Sequence, residues 1–334
     1  MSKLLIGSYS DGRPEGIRLV TMDGDTGALR LEVELPGAAD ASFLAIDPAG
    51  HRLYATDEMA ARVGAFDLRT DPLALDALGY LPAGASSPCY LALSPDGRRH
   101  LAVANYGAGV VTVFTLDASG TLAGAPQVLV GAKPTDTGHA HWVQWSPEGD
   151  RLYAVDLGHD EVRFWPWSHG RAGSPVTAYT LPAGSGPRHL AFHPNGRWAY
   201  LFTEYSNEIV ALRRIADGTL AEIEIRSSLP ADFSGQSFGA HIQIAGNGRT
   251  VYVSNRGHNS ITAFRIGDDG GLAWLQNLSC GGDWPRMFLL LADRLLVANQ
   301  RSNDLVAFEV AADGTLVDSG QRLSVPKPGM ILPV

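Results

Sequence analysis

Arg188-His-Leu-Ala-Phe-His-Pro-Asn-Gly-Arg-Trp-Ala-Tyr-Leu-Phe-Thr-Glu204 reads as an apolar strand, a Pro-Asn-Gly turn and a second strand ending on a polar residue. Proline presets φ for such a turn and glycine accepts the positive φ that closes it, so the span folds back on itself as a hairpin. Upstream, the pattern recurs at Ser42-Phe-Leu-Ala-Ile-Asp-Pro-Ala-Gly, Cys89-Tyr-Leu-Ala-Leu-Ser-Pro-Asp-Gly and Trp142-Val-Gln-Trp-Ser-Pro-Glu-Gly. Downstream it returns as Ala240-His-Ile-Gln-Ile-Ala-Gly-Asn-Gly and, with a shortened turn, as Pro285-Arg-Met-Phe-Leu-Leu-Leu-Ala-Asp. The anchors Pro48, Pro95, Pro147, Pro194 and Gly246 are 47, 52, 47 and 52 residues apart. A period of that length redefines the whole chain as a repeat protein.

Each hairpin is followed by a third alternating strand, such as Ile209-Val-Ala-Leu-Arg or Ile261-Thr-Ala-Phe-Arg, and a more polar fourth, such as Leu220-Ala-Glu-Ile-Glu-Ile-Arg. Four antiparallel strands per repeat at this period predict the blade of a β-propeller. Six copies are complete, and the chain ends supply a seventh. Leu4-Leu-Ile-Gly-Ser-Tyr-Ser resembles a second strand and Ile17-Arg-Leu-Val-Thr-Met-Asp a third, while Met330-Ile-Leu-Pro-Val matches the opening strand they lack. The expectation is an all-β, seven-bladed propeller of four-stranded blades, one blade closed by the N- and C-terminal strands, spanning 1–334 as a single domain. Such closure removes the exposed edges an open array would present.

The composition agrees with a soluble, turn-rich chain: 334 residues, 38 Gly and 20 Pro, 45% hydrophobic, with 26 Lys+Arg against 35 Asp+Glu for a net charge of −9. An acidic protein without a basic stripe is a poor match for the phosphate-neutralising footprint of nucleic-acid binding. The start, Met1-Ser-Lys-Leu-Leu-Ile-Gly, has too short an apolar run for a signal peptide, and no run suits a membrane span, so no membrane partner and a cytoplasmic location are expected. A monomer or weak homo-oligomer is the expected state. Cys89 and Cys280 lack metal or redox spacing and read as buried thiols.

Antiparallel pairing places the beginning of a blade's first strand and the end of its second at the same sheet edge, and the first strands line the central channel. Residues at these positions therefore converge on one channel mouth. First-strand beginnings offer His141 with His139, Arg188 with His189, His241, and Arg286. Second-strand ends offer Asp57, Asn105, Asp156, Glu204, Asn255 with Arg256, and Asn299 with Gln300 and Arg301. Arginine forks suit carboxylate or phosphate, and their convergence in an acidic protein points to a small anionic ligand.

Gly186-Pro-Arg-His-Leu-Ala-Phe-His-Pro-Asn-Gly, Thr203-Glu-Tyr-Ser-Asn-Glu-Ile and Ser254-Asn-Arg-Gly-His-Asn-Ser-Ile-Thr-Ala-Phe resemble the seven-bladed propeller lactonase family over nearly the whole chain. That family includes propeller-type 6-phosphogluconolactonases and carboxy-muconate lactonizing enzymes. The resemblance implies catalytic roles for His141, Arg188, Glu204 and Arg256, and the strand-end positions add His139, His189, His241, Asn105, Asn255, Arg286 and Gln300 as expected substrate contacts. It implies hydrolysis of a sugar-acid lactone, 6-phosphogluconolactone first, with no cofactor. Glu204 is then a base and His141 an acid, or the reverse. A carboxy-cis,cis-muconate cyclase is the alternative, since the same four residues serve both. A non-catalytic interaction propeller ranks below them because Trp-Asp repeat endings are missing.

Other signals carry less. His139-x-His141 has the spacing of two metal ligands, with His241 or Glu204 to complete a set, and Asp156, Asn255 and Glu204 suit calcium, yet no dedicated metal loop accompanies them and no metal is expected. Ser8, Ser42 and Ser254 lack the strand-elbow-helix setting of a nucleophile. Trp165 and Trp167 read as blade packing, and Gly184-Ser-Gly-Pro as a turn.

Overall fold

The computed structural model describes residues 1–47, 51–70, 73–95, 99–133 and 135–334. The turn at Pro48, first anchor of the repeat, lies outside them, as do the three residues that follow Pro95. Strands dominate the described residues and sort into seven sheets. Blades 1 to 6 follow the chain at 44–82, 88–129, 140–180, 187–227, 238–279 and 285–324. In blade 4, Pro187–Phe192, Trp198–Thr203, Glu208–Arg214 and Leu220–Ser227 pair antiparallel in sequence order. Blade 7 joins both chain ends: Pro328–Pro333 lies innermost, then Ser2–Ser8, Ile17–Met22 and Leu29–Leu35. The innermost strands touch one another in a closed circuit around the channel.

The core lies between the blades. Successive side chains of a strand point to opposite faces, so a strand covered by a blade on each side is apolar throughout. Every residue of Trp198–Thr203 is buried. Its Leu201 packs with Tyr153, Val162 and Phe164 of blade 3, and its Phe202 with Val251, Val253 and Phe264 of blade 5. The outermost strands meet water, and Leu29–Leu35 is mostly exposed.

A repeated hydrogen bond ties blade to blade. The tyrosine of the second strand donates its hydroxyl to a glycine carbonyl in the outer turn of the next blade: Tyr54 to Gly120 (2.8 Å), Tyr153 to Gly218 (2.6 Å), Tyr200 to Gly270 (2.9 Å) and Tyr252 to Gly314 (2.7 Å). Each glycine has φ between 80° and 97°, a conformation that a side chain would strain. Blades 2, 6 and 7 carry Ala102, Leu296 and Leu5 at this position instead. Blade 3, which blade 2 faces, departs from four strands: a short pair, Arg171–Ala172, extends the third strand, and Gln127 of blade 2 donates to the Gly170 carbonyl (2.8 Å).

Closure by the termini predicts a stability test. Removing 330–334 strips the buried Met330 and Ile331 and the ladder to Leu4–Gly7. The two side chains alone account for roughly 3 to 6 kcal/mol. The truncated chain should melt at least about 10 °C lower in a calorimetric scan and aggregate through the freed edge; a truncation that melts like the full chain contradicts the closure.

Candidate active site

The channel mouth is built by a backbone irregularity that the sequence does not advertise. In blades 2 to 6 the ladder between the first two strands slips once, at Cys89, His141, Arg188, Ala240 with His241, and Arg286. A bulge leaves one residue unpaired and re-aims its side chain. His141, Arg188 and Arg286, from blades 3, 4 and 6, are set at the mouth by this device.

Tyr90 and His189, each following a bulge, belong with Phe43 and His241 to a plug one layer deeper. Phe43 packs on Tyr90 with ring centroids 4.0 Å apart, Tyr90 reaches across to His189 at 5.3 Å, and His189 meets His241 at 5.3 Å. His189 and His241, expected to contact substrate, therefore form the floor of the site. Their Nδ1 atoms are 3.1 Å apart, and His189 Nε2 lies 3.1 Å from Arg188 Nη1.

Second-strand ends need a correction of register. Asn105 and Asn255 are the last ladder positions or adjoin them and are fully buried. Asn105 Nδ2 donates to the Val110 carbonyl (3.2 Å), and Asn255 Nδ2 donates to the hydroxyls of Ser260 (3.2 Å) and Thr262 (3.1 Å). They fasten the loop between the second and third strands instead of facing the mouth. The equivalent position in blade 4 is Thr203, so the mouth begins one residue later, with Tyr9, Glu58, Tyr106, Glu204, Arg256 and Gln300. Tyr9 and Glu58 were missed by the sequence reading; aligning Glu58 with Glu204, each following a second strand in the repeat, is the signal that finds them.

Glu204 organises the cationic side. Its Oε2 lies 3.1 Å from Arg188 Nε and 2.9 Å from Arg256 Nη2. Arg188 Nη1 also donates to the Ala240 carbonyl, and Arg256 Nη2 to the Gly239 carbonyl (2.8 Å). Arg188 Nη2 and Arg256 Nη1 take no bond from a described residue. Arg256 stacks on Trp284 (5.2 Å), which also carries Arg301 (3.3 Å). Burial, followed by the charge of Arg256, pushes the Arg188 pKa down to about 9. Arg286 stands over the Tyr9 ring at 5.1 Å and makes no ion pair with a described residue. On the other side of the mouth, the Tyr9 hydroxyl donates to Glu58 Oε2 (2.8 Å), as does the Ser42 hydroxyl.

Of the remaining candidates, His139 sits at the rim, stacked on Tyr106 (4.4 Å) with Nδ1 2.8 Å from the Tyr106 carbonyl. Gln300 is half-buried, its backbone N–H donating to the Trp284 carbonyl (3.0 Å). The histidines below are electrically neutral at pH 7. Burial first, and then the Arg188 charge, holds His141 and His189 well below 6.5 and His241 at about 3. Cys89 Sγ lies 3.9 Å from His141 Nδ1, but burial lifts its pKa to about 12, so it remains a thiol. Among the described residues no three His, Cys, Asp or Glu side chains gather as metal ligands. Asp156 is paired instead with Arg163 and His159.

A sequence profile described as "Lactonase, 7-bladed beta-propeller" matches residues 3–333. The chain belongs to the seven-bladed β-propeller lactonase family. The 6-phosphogluconolactonase of Bacillus subtilis (strain 168) is 31% identical over 338 residues, covering 97% of this chain and 95% of that protein. Among solved structures, a periplasmic gluconolactonase of Pseudomonas aeruginosa has a TM-score of 0.92 at 30% identity, covering 100% of this chain and 99% of that one. A Lactobacillus plantarum protein has a TM-score of 0.90 at 28% identity, with 100% and 99% covered. Family membership makes the protein an enzyme of the lactonase kind. No described helix is long and apolar enough to cross a membrane.

The neutral histidines set a pH dependence. In the unfolded chain a histidine titrates near 6.5, whereas His241 in the fold titrates at about 3. Below pH 6.5 the unfolded state thus binds more protons, and stability falls as pH drops, by up to about 1.4 kcal/mol per pH unit for each such histidine. Above pH 7 these residues contribute no slope. Urea midpoints at pH 7.5, 6.0 and 5.0 should decline with acidification, and His241→Gln should show a shallower decline; equal slopes contradict the assignment.

Proposed function

We propose that the channel mouth hydrolyses the lactone of a phosphorylated sugar acid, 6-phosphogluconolactone being the substrate in the name of the Bacillus relative. One observation carries this reading: Arg286 has no ion pair or hydrogen bond with any described residue, although it faces Tyr9, Glu58 and Glu204. Three arginines, Arg188, Arg256 and Arg286, stand against two carboxylates, so the mouth keeps an excess positive charge inside a protein of net charge −9. An anion bound there relieves the repulsion among the arginines. Arg286 anchors the phosphate, while the uncommitted amino groups of Arg188 and Arg256 face the lactone carbonyl.

The chemistry follows from these placements. A water oxygen attacks the carbonyl carbon as Glu204 Oε1 takes one of its protons, with Oε2 fixed by the two arginines. The carbonyl electrons move onto oxygen, and the resulting oxyanion is stabilised by Arg188 and Arg256. The bond from the carbonyl carbon to the ring oxygen then breaks. Glu204 returns the proton to that alkoxide, and the ring opens to a hydroxy acid that ionises in solution. His141 is neutral and cannot begin as the acid; it holds the water as a hydrogen-bond partner. A phosphorylated substrate does not cross membranes unaided, which suits a cytoplasmic enzyme working as a single propeller domain, alone or in weak association.

Three variants test this, with rates corrected for spontaneous hydrolysis. Glu204→Gln should lower kcat by about 100-fold or more, and His141→Asn by less. Arg286→Gln should raise KM for 6-phosphogluconolactone by about 10- to 100-fold and leave glucono-δ-lactone nearly unaffected. Exhaustive chelation should leave the wild-type rate intact. A wild type inert on both lactones, or a Glu204→Gln enzyme near wild type, contradicts the reading.

A further inference from the structure

Among the described residues Glu58 makes no ion pair, although Arg286, which covers the Tyr9 ring, faces it. Blade 1, which carries it, lies three blades from blade 4 in a ring of seven, so Glu58 and Glu204 stand nearly across the channel from each other. The two are held alike. Both arginine contacts to Glu204 fall on Oε2, and both hydroxyl bonds to Glu58, from Tyr9 and Ser42, also fall on Oε2. Oε1 of Glu58 takes no bond from a described residue and is open to solvent.

The support beneath Glu58 is rigid. Tyr9 begins a loop whose backbone is fastened to the buried Asp40: Oδ1 accepts from the N–H groups of Ser10 (2.7 Å) and Asp11 (3.0 Å), and Oδ2 from Gly12 (2.9 Å). The Tyr9 N–H donates to the Lys327 carbonyl (3.1 Å), tying the loop to the chain's other end. Ser42 is held in turn by Thr56, their hydroxyls 3.2 Å apart. A carboxylate fixed on one oxygen and free on the other is an acceptor for hydroxyl donors, and it repels a second carboxylate.

We infer that Glu58, positioned by Tyr9 and Ser42, reads the hydroxyl groups of the lactone ring and excludes polycarboxylate substrates. This rests on the lactonase reading above and deepens it. Blades 4 and 5 hold the carbonyl; blade 1 supplies the wall across from blade 4, beside the Tyr9 and Arg286 that flank the anionic group, and there a sugar-acid lactone offers hydroxyls and a carboxy-muconate offers only carboxylate. The two enzyme readings that share His141, Arg188, Glu204 and Arg256 are thereby separated by a residue outside that set.

The test has a kinetic arm and a binding arm. kcat/KM is measured for glucono-δ-lactone and for δ-valerolactone, the same ring without hydroxyls, in wild type, Glu58→Gln and Tyr9→Phe. The hydroxylated lactone should lead by at least about 100-fold in wild type. Glu58→Gln should reduce that ratio by about 10- to 100-fold, chiefly through KM for the sugar lactone, and Tyr9→Phe should reduce it by less. In calorimetric titrations, Glu58→Gln should bind tricarballylate at least about 10-fold more tightly than wild type and gluconate more weakly. A loss shared equally by both lactones would make Glu58 catalytic or merely structural and overturn the inference, as would unchanged binding of both acids. The titrations need no turnover, so a wild type inert on every lactone would sink the lactonase reading while the binding arm still decides the role of Glu58.

Discussion

A sheet flanked on both faces by other sheets has no room inside for a polar side chain without a partner, and every blade here is such a sheet. That constraint empties the middle of each strand of chemistry. Trp198–Thr203 is buried along its whole length, and polar groups enter only at its end, with Thr203 spent on the loop and Glu204 at the mouth. The site is therefore a ring of strand ends. Blades add residues where the second strand ends, and blades 3, 4 and 6 add His141, Arg188 and Arg286 at the bulges that open their first strands. Residues far apart in sequence, such as Tyr9 and Arg286, meet because the ring closes.

Electrostatics then turns this ring into a site. Burying Arg188 beside Arg256 is unfavourable, as the lowered Arg188 pKa of about 9 records, and Glu204 offsets it only in part. The histidines avoid adding to the charge by staying neutral, so His141, His189 and His241 work as hydrogen-bonding groups in the wall and floor. Positive charge is concentrated on blades 4 to 6, while blade 1 presents Glu58 across from Glu204 and near Arg286. A ligand that carries both an anionic group and hydroxyls fits that mixture.

Much of the fold was legible because the repeat is written in residues whose physics is local: a proline, a glycine, an apolar strand and a polar stop. The tyrosine of Arg-Leu-Tyr-Ala and the glycine of the following outer turn even mark the inter-blade bond, once paired. That His141, Arg188, Glu204 and Arg256 gather at the mouth was legible through the same topology and the family resemblance. What stayed hidden depends on one-residue offsets. Nothing in Cys89-Tyr or Pro285-Arg-Met announces a bulge, so the plug residues His189 and His241 were assigned to the mouth. Asn105 and Asn255 looked like ligands because a polar strand end and a mouth residue differ by a single step. Glu58 was passed over for Asp57 for the same reason.

A crystal structure with 6-phosphogluconate bound is the most direct test of an anion site built at the mouth by three blades. The phosphate is expected on Arg286 and the carboxylate within hydrogen-bond distance of Arg188 and Arg256, with sugar hydroxyls toward Glu58. A product bound elsewhere on the propeller, or in the mouth with its phosphate away from Arg286 and its carboxylate away from both other arginines, would contradict it.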